Sequence, residues 1–227
     1  MSIRYFLASI SALVLLTAGI AQAQSPKFRM IVNGGYGYRP VKVAETGKEV
    51  IDTHNKKLKK GLVYGAEAAY YISESLGFGV KYSNMRSSAK DRVVITDEAG
   101  NSMTGMYSDV IDLTFIGPVV NAYKMSWDEK HVFAFGYGIG YLGYLDDGMV
   151  IDPMSIKGWT LGQSINIGYD YRLTGKLYLG AELAGITGVL TSYEVTENGV
   201  TSNYDLADDE RESLLHVYLT VGLRLYL

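Results

Sequence analysis

The sequence predicts a single all-β fold, a transmembrane antiparallel up-and-down β-barrel of eight strands, and three observations carry that prediction. Apolar side chains recur with period two over segments too long for ordinary sheet edges, the mark of strands with one apolar and one polar face. Beyond the N-terminal segment, no apolar run approaches the roughly 18 residues that a membrane helix needs. The intervals between alternating segments are themselves alternately short and long, as in barrels with tight turns at one end and surface loops at the other. A spanning protein without spanning helices has to close its sheet, because lipid leaves an open edge unsatisfied.

The N-terminus has the layout of a secretory signal peptide: Arg4, an apolar stretch from Tyr5 to Ile20, then the small-residue pattern Ala21-Gln22-Ala23. Cleavage is expected after Ala23, leaving residues 24–227 as one barrel domain. No cysteine occurs anywhere, so the fold is not stapled by disulfides. The formal net charge of −3 gives no reason to expect nucleic acid as a partner. Tyr, at 19, and Gly, at 26, are abundant while Pro is only 4. Tyr suits the lipid–water boundary, and Gly tolerates crowding in a narrow barrel.

Strands are expected over 27–38, 62–73, 76–87, 108–123, 131–145, 157–172, 176–191 and 211–227. The last is the clearest. Leu215, Val217, Leu219, Val221, Leu223, Leu225 and Leu227 alternate with His216, Tyr218, Thr220, Gly222, Arg224 and Tyr226. In 160–173, Leu161, Gln163, Ile165, Ile167, Tyr169, Tyr171 and Leu173 alternate with Thr160, Gly162, Ser164, Asn166, Gly168, Asp170 and Arg172. In 132–141 the aromatic set Phe133, Phe135, Tyr137 and Tyr141 alternates with Gly136, Gly138 and Gly140. Long loops are expected near 39–61, 88–107, 146–156 and 192–210, with both termini in the periplasm. An eight-stranded barrel holds side chains and little else. Arg29, Glu67, Lys81, Asp112, Asp170, Arg172, Glu182, His216 and Arg224 are therefore expected to point inward, acids interleaved with bases, because an unpaired buried charge is costly.

Two stretches carry a family resemblance. Gly65-Ala66-Glu67-Ala68-Ala69-Tyr70-Tyr71-Ile72-Ser73, running on through Leu76-Gly77-Phe78-Gly79-Val80-Lys81-Tyr82-Ser83, resembles a hairpin of the outer-membrane β-barrel domain family common in Bacteroidetes. Asp112-Leu113-Thr114-Phe115-Ile116-Gly117-Pro118-Val119-Val120-Asn121-Ala122-Tyr123 resembles that family's segment of strand, proline, apolar pair and aromatic. The resemblance implies a small porin-like barrel in the outer membrane of a Gram-negative cell, and it brings no shared catalytic residues. Such chains often end in an aromatic residue, whereas here Tyr226 is penultimate, before Leu227.

The candidate chemistry is sparse. The three histidines, His54, His131 and His216, fall far apart along the barrel, which argues against a metal site, and no cofactor motif is present. The glycines of 136–140 lie on strict strand alternation with no helix after them, so they are not a nucleotide fingerprint. Lys56, Lys57, Lys59 and Lys60 form a basic cluster at the outer end of the second strand, suited to lipopolysaccharide phosphates or to plain solvation. The acidic run Asp205, Asp208, Asp209, Glu210 and Glu212 lacks the spacing of a calcium loop.

Two functions of different class follow. The first is a monomeric, non-catalytic envelope barrel whose partners are outer-membrane lipid, lipopolysaccharide and an extracellular ligand met by its loops. The second is a lipid-modifying enzyme with a rim site near His216, its nucleophile drawn from a neighbouring strand around Thr191 and Ser192. No catalytic set of Ser, His and acid can be assembled from the sequence.

Overall fold

The computed structural model describes residues 26–41, 49–96, 102–149 and 153–227. The signal-peptide segment expected over 1–23 lies outside the described residues. In chain order the elements are β1 (Phe28–Tyr38), α1 (Glu49–Lys57), β2 (Lys60–Tyr71), β3 (Leu76–Thr96), β4 (Ser102–Met125), β5 (His131–Met149) and β6 (Pro153–Thr174). They continue as β7 (Leu177–Thr187), β8 (Val189–Leu190), β9 (Ser192–Glu197), β10 (Val200–Asp205), β11 (Glu212–Ser213) and β12 (His216–Tyr226). No helix among the described residues is long and apolar enough to cross a membrane.

Eight strands close into a ring. Strands β1 to β7 pair antiparallel in sequence order, β7 pairs with β12, and β12 returns to β1 in a ladder running from Arg29↔Tyr226 to Tyr38↔Val217. All backbone donors of the wall can thus be served within the sheet, which is what a lipid environment demands. The outward face is apolar: Leu161, Ile165 and Ile167 on β6 and Leu219, Val221 and Leu223 on β12 are all exposed. Their sequence neighbours Ser164, Asn166 and Asp170, and His216, Thr220 and Arg224, are buried inside. Strand alternation therefore sets which residues face lipid and which fill the barrel.

The strands run further than the alternation suggested. The expected loops at 88–107 and 146–156 are largely strand, because β3 and β4 stay in register out to Thr96↔Ser102 and β5 and β6 out to Met149↔Pro153. The expected loop at 192–210 holds a hairpin, β9–β10, turned at Asn198 and Gly199, whose φ angles of 49° and 79° are both positive. Two consecutive positive φ values mark the turn type that matches strand twist, and Asn-Gly is its preferred pair. Beyond Gln163↔Thr187, β7 leaves β6, and β9 takes its place beside β6 over Met154 to Lys157. The short pair β8–β11 bridges the step between them. At this long-loop end the wall is thus a sheet extended past the ring by β9 and β10.

The β4–β5 ladder passes from Ile116↔Tyr141 to Val119↔Gly138, skipping Gly117 and Pro118. Proline has no N–H to give, so the interruption falls where the donor is missing.

The interior has two layers. Toward the short-turn end, Arg29 reaches Asp170 at 2.9 Å, Arg224 meets the same carboxylate at 3.0 Å, and Lys81 meets Glu182 at 2.7 Å. Glu67 accepts from Asn121 at 2.8 Å and lies 3.9 Å from Arg29. The expected interleaving of acids and bases holds for these six charges. Gly180 makes the central contact feasible, since a Cβ there would lie 2.0 Å from Asp170 Oδ1. A tyrosine cluster of Tyr71, Tyr123, Tyr178 and Tyr226 seals this end, and the Tyr226 hydroxyl donates to Asp170 at 2.6 Å. Toward the long-loop end the filling is apolar, with Met85, Leu113, Phe115, Leu142, Ile186, Leu190 and Leu214 buried together.

Asp112 departs from the expectation. Leu113 and Phe115 point inward, so Asp112 faces outward, 3.3 Å from Arg86. Arg172 is half-buried at the short-turn end, where it pairs with Glu129 at 3.1 Å, apart from the central cluster.

Candidate functional site

The long-loop end of the barrel gathers the polar side chains that the wall leaves unused. Helix α1 packs against β3 at this end. Leu58, just past the helix, joins the apolar interior layer, so hydrophobic burial seats the helix. His54 is fully buried beneath it. Its Nδ1 lies 2.9 Å from Asp91 Oδ2 and its Nε2 lies 2.8 Å from Asp109 Oδ2. The ring stacks on Tyr107 with centroids 4.0 Å apart and planes 19° from parallel. Lys57, one helical turn on, pairs with the other oxygen of Asp91. Two hairpin carboxylates on β3 and β4 therefore hold one helix by a histidine and a lysine, with an aromatic floor.

A second polar group sits beside this latch. Arg39, at the end of β1, is buried and meets Glu212 at 3.1 Å, with its guanidinium 5.9 Å from the Tyr144 ring centroid. The Tyr144 hydroxyl donates to Asp146 at 3.1 Å. Asp146 lies past the apolar outer band, and burial, followed by the nearby Asp109 carboxylate, pushes its carboxyl up to about 6. Among the described residues, no group of three or more His, Asp or Glu side chains is arranged to hold a metal ion.

The sequence-derived candidates are distributed as follows. Lys56 and Lys57 are exposed on α1, Lys59 is half-buried and gives its carbonyl to the Arg39 N–H at 2.7 Å, and Lys60 opens β2 in solvent. The four lysines do share one end of the molecule, with Lys57 committed to Asp91. His131 opens β5 at the opposite end, its Nδ1 2.6 Å from the Tyr169 hydroxyl. His216 is inward and buried, Nδ1 lying 2.9 Å from the Leu214 carbonyl, and its ring faces Tyr218. Ser192 is exposed on β9 and Ser213 on β11, on elements outside the ring strands that flank His216. In the acidic run, Glu212 serves Arg39, Asp208 pairs with Arg211 at 2.6 Å, and Glu210 accepts from the Ala207 N–H at 3.2 Å.

Sequence reasoning missed Asp91, Asp109 and Asp146. Asp91 and Asp109 stand 37 and 55 positions from His54, and no local pattern joins them. Their one sequence signal was charge lying on β3 and β4 beyond the apolar band.

The fold has solved counterparts. A major outer membrane protein from Thermus thermophilus superposes with a TM-score of 0.57 at 12% identity, covering 90% of this chain and 100% of that one. Neisserial surface protein A gives 0.51 at 13% identity, with 88% and 97% covered. The outer membrane protease OmpT from Escherichia coli gives 0.50 at 7% identity, with 93% and 100% covered. At these identities the likeness is one of fold. No curated protein sequence matches the chain. Residues 8–187 match the model of the outer membrane protein beta-barrel domain, and with the ring closed by β1 and β12 around that stretch, the chain belongs to this family of outer-membrane barrels.

Proposed function

We propose that the chain is a non-catalytic, monomeric outer-membrane barrel that conducts nothing and uses its long-loop end as an interaction surface. The filled interior carries this reading. The charged cluster around Asp170 fills one half of the barrel and an apolar layer the other, and α1 packs against β3 with Leu58 in that apolar layer. A cavity of about 10 Å³ beside Glu67 and Lys81 is too small for a solute path. A barrel filled by two layers leaves its outer surfaces to do the work.

In this reading both termini and the short turns face the periplasm. The long hairpins, α1 and β9–β10 face outward, where Lys56 and Lys60, beside half-buried Lys59 and the Lys57 that pairs with Asp91, meet lipopolysaccharide phosphates. The buried ring of His216, held by a backbone carbonyl, lends no support to a lipid-modifying rim site.

The absence of native cysteine makes the test direct. Cysteines introduced at Asn198 and at Glu129 are exposed to a membrane-impermeant maleimide in intact cells. Labelling at 198 and not at 129 is expected, and the reverse pattern overturns the orientation. Purified protein in planar bilayers should show no conductance steps, and steady channel openings would overturn the closed barrel. Lipid A from cells carrying the protein or its His216→Ala variant should have the same mass.

A further inference from the structure

The outer wall carries a polar groove of about 870 Å³ where the outward face of the extended sheet passes from apolar to polar. Ile116 on β4 and Leu161 on β6, exposed members of the apolar band, both pair with Tyr141 at its floor. Its floor is an aromatic pair. Tyr141 and Trp159 stack with centroids 5.9 Å apart and planes 22° from parallel, and Trp159 is 66% exposed. Gly143 lets this floor lie flat, since a Cβ there would meet the Tyr141 ring at 2.8 Å. One side is set by Asn84, Arg86 and Asp112, the other by Lys157, with Glu194 opposite it on β9.

Asn84 gives the groove an unserved hydrogen-bond acceptor. The residue is only 4% exposed, and its amide nitrogen donates to Thr114 Oγ1 at 2.9 Å. Its Oδ1 takes part in no hydrogen bond. A buried carbonyl oxygen left without a donor is costly, and here it borders a groove large enough to admit one.

The charges choose the ligand. Arg86 is already paired with Asp112 at 3.3 Å, and the groove's two cations, Arg86 and Lys157, are outnumbered by Asp112, Glu194 and Asp205, so its charge does not favour a bare anion. What it offers is an aromatic face, an unserved amide oxygen and paired carboxylate and guanidinium groups. An apolar ring face with hydroxyls around its rim satisfies all three: C–H groups lie on the aromatic pair, and hydroxyls donate to Asn84 and Asp112 while accepting from Arg86. We propose that this groove binds a saccharide, and its place at the upper edge of the apolar band points to the sugar portion of a glycolipid in the same leaflet. This source rests on the proposed orientation; the groove itself does not.

Calorimetry on the protein in phosphatidylglycerol nanodiscs, titrated with delipidated core oligosaccharide of bacterial lipopolysaccharide, tests the site. Nanodiscs that also contain intact lipopolysaccharide give the second arm. Saturable binding weakened at least tenfold by Trp159→Ala and by Asn84→Leu is expected, with both variants keeping heat-modifiable gel mobility. Trp159 is largely exposed, so its variant remains informative if Asn84→Leu fails to fold. Stronger retention of intact lipopolysaccharide than of oligosaccharide assigns the glycolipid. Binding of free oligosaccharide with no preference for the lipid-linked form keeps the saccharide site and overturns the glycolipid source. No saturable binding in either arm, or binding that both variants leave unchanged, overturns the groove. Purified protein carries no orientation, so these failures are distinct from a failure of the cell-labelling experiment.

Discussion

The two halves of the barrel interior are filled by opposite chemistry. The short-turn half is built from Arg29, Asp170, Arg224, Lys81, Glu182 and Glu67 under a tyrosine seal, and the long-loop half mainly from aliphatic side chains with Phe115, Tyr144 and Tyr218 among them. In the first half, each buried charge has lost its hydration, and the fold tolerates this only while every partner is present. In the second, the same β-wall encloses an ordinary hydrophobic core. Inward-facing therefore does not mean polar in this barrel, and the two halves should break differently.

The largest effect is expected at Asp170, which serves Arg29 and Arg224 and accepts from Tyr226. Asp170→Leu leaves Arg224 without its acid and Arg29 with only Glu67 at 3.9 Å, and should cost about 3–5 kcal/mol or prevent insertion altogether. Urea unfolding in lipid vesicles measures it. A loss below about 1 kcal/mol would mean that the pairs are worth no more than exposed ones. In the other half, Leu142→Ala removes a fully buried side chain and should cost about 2–5 kcal/mol through transfer and cavity terms. The sharper contrast lies in the salt response. Rescue of the Asp170 variant by added chloride, with none for Leu142→Ala, would separate a missing charge from a missing contact.

The same comparison explains what the sequence could and could not disclose. Alternation in β12 and β6 was legible because the inward residues there are polar: His216, Thr220 and Arg224, and Ser164, Asn166 and Asp170. On β4 the rule that charge points inward failed. Leu113 and Phe115 belong to the apolar half, so Asp112 falls on the outward face and pairs with Arg86 above the lipid band. The β9–β10 hairpin was expected as a loop, because its polar composition hides the alternation, although Asn198-Gly199 is the pair its turn needs. The His54 latch was not readable. A histidine in a lysine-rich helix looks solvated until β3 and β4 are carried past the membrane to bring Asp91 and Asp109 around it.

A smaller and more local effect is expected from that latch. His54→Ala removes both carboxylate contacts and the stack on Tyr107, but leaves the barrel ladders whole. Hydrogen exchange should rise in α1 by one to two orders of magnitude, corresponding to about 1–3 kcal/mol, while β1 and β12 keep their protection. Faster exchange throughout the wall would show that the helix stabilises the barrel as a whole.

The smallest expected effect is a pH dependence confined to the long-loop end. Asp146 lies there beside Tyr144, Arg39, Glu212 and Asp109, with its carboxyl pushed up to about 6 by burial first and Asp109 second. A carboxyl raised in the folded state holds its proton more tightly than in the unfolded chain, whose ordinary value is about 4. Its favourable contribution is therefore complete below about pH 4, fades as pH rises through about 6, and above that becomes the full cost of an ionised, half-buried acid. Asp146→Asn keeps a neutral side chain of the same shape. It should match the parent at acid pH and exceed it above about pH 6.5 by roughly 1 kcal/mol once solvent screening is allowed for. Exchange rates at the far end of β5, followed from about pH 4 to 8 after correction for intrinsic chemistry, read this out. A variant less stable than its parent at neutral pH would mean that ionised Asp146 is held by Arg39, and the polar group beside the latch would then be an ion pair instead of a strained acid.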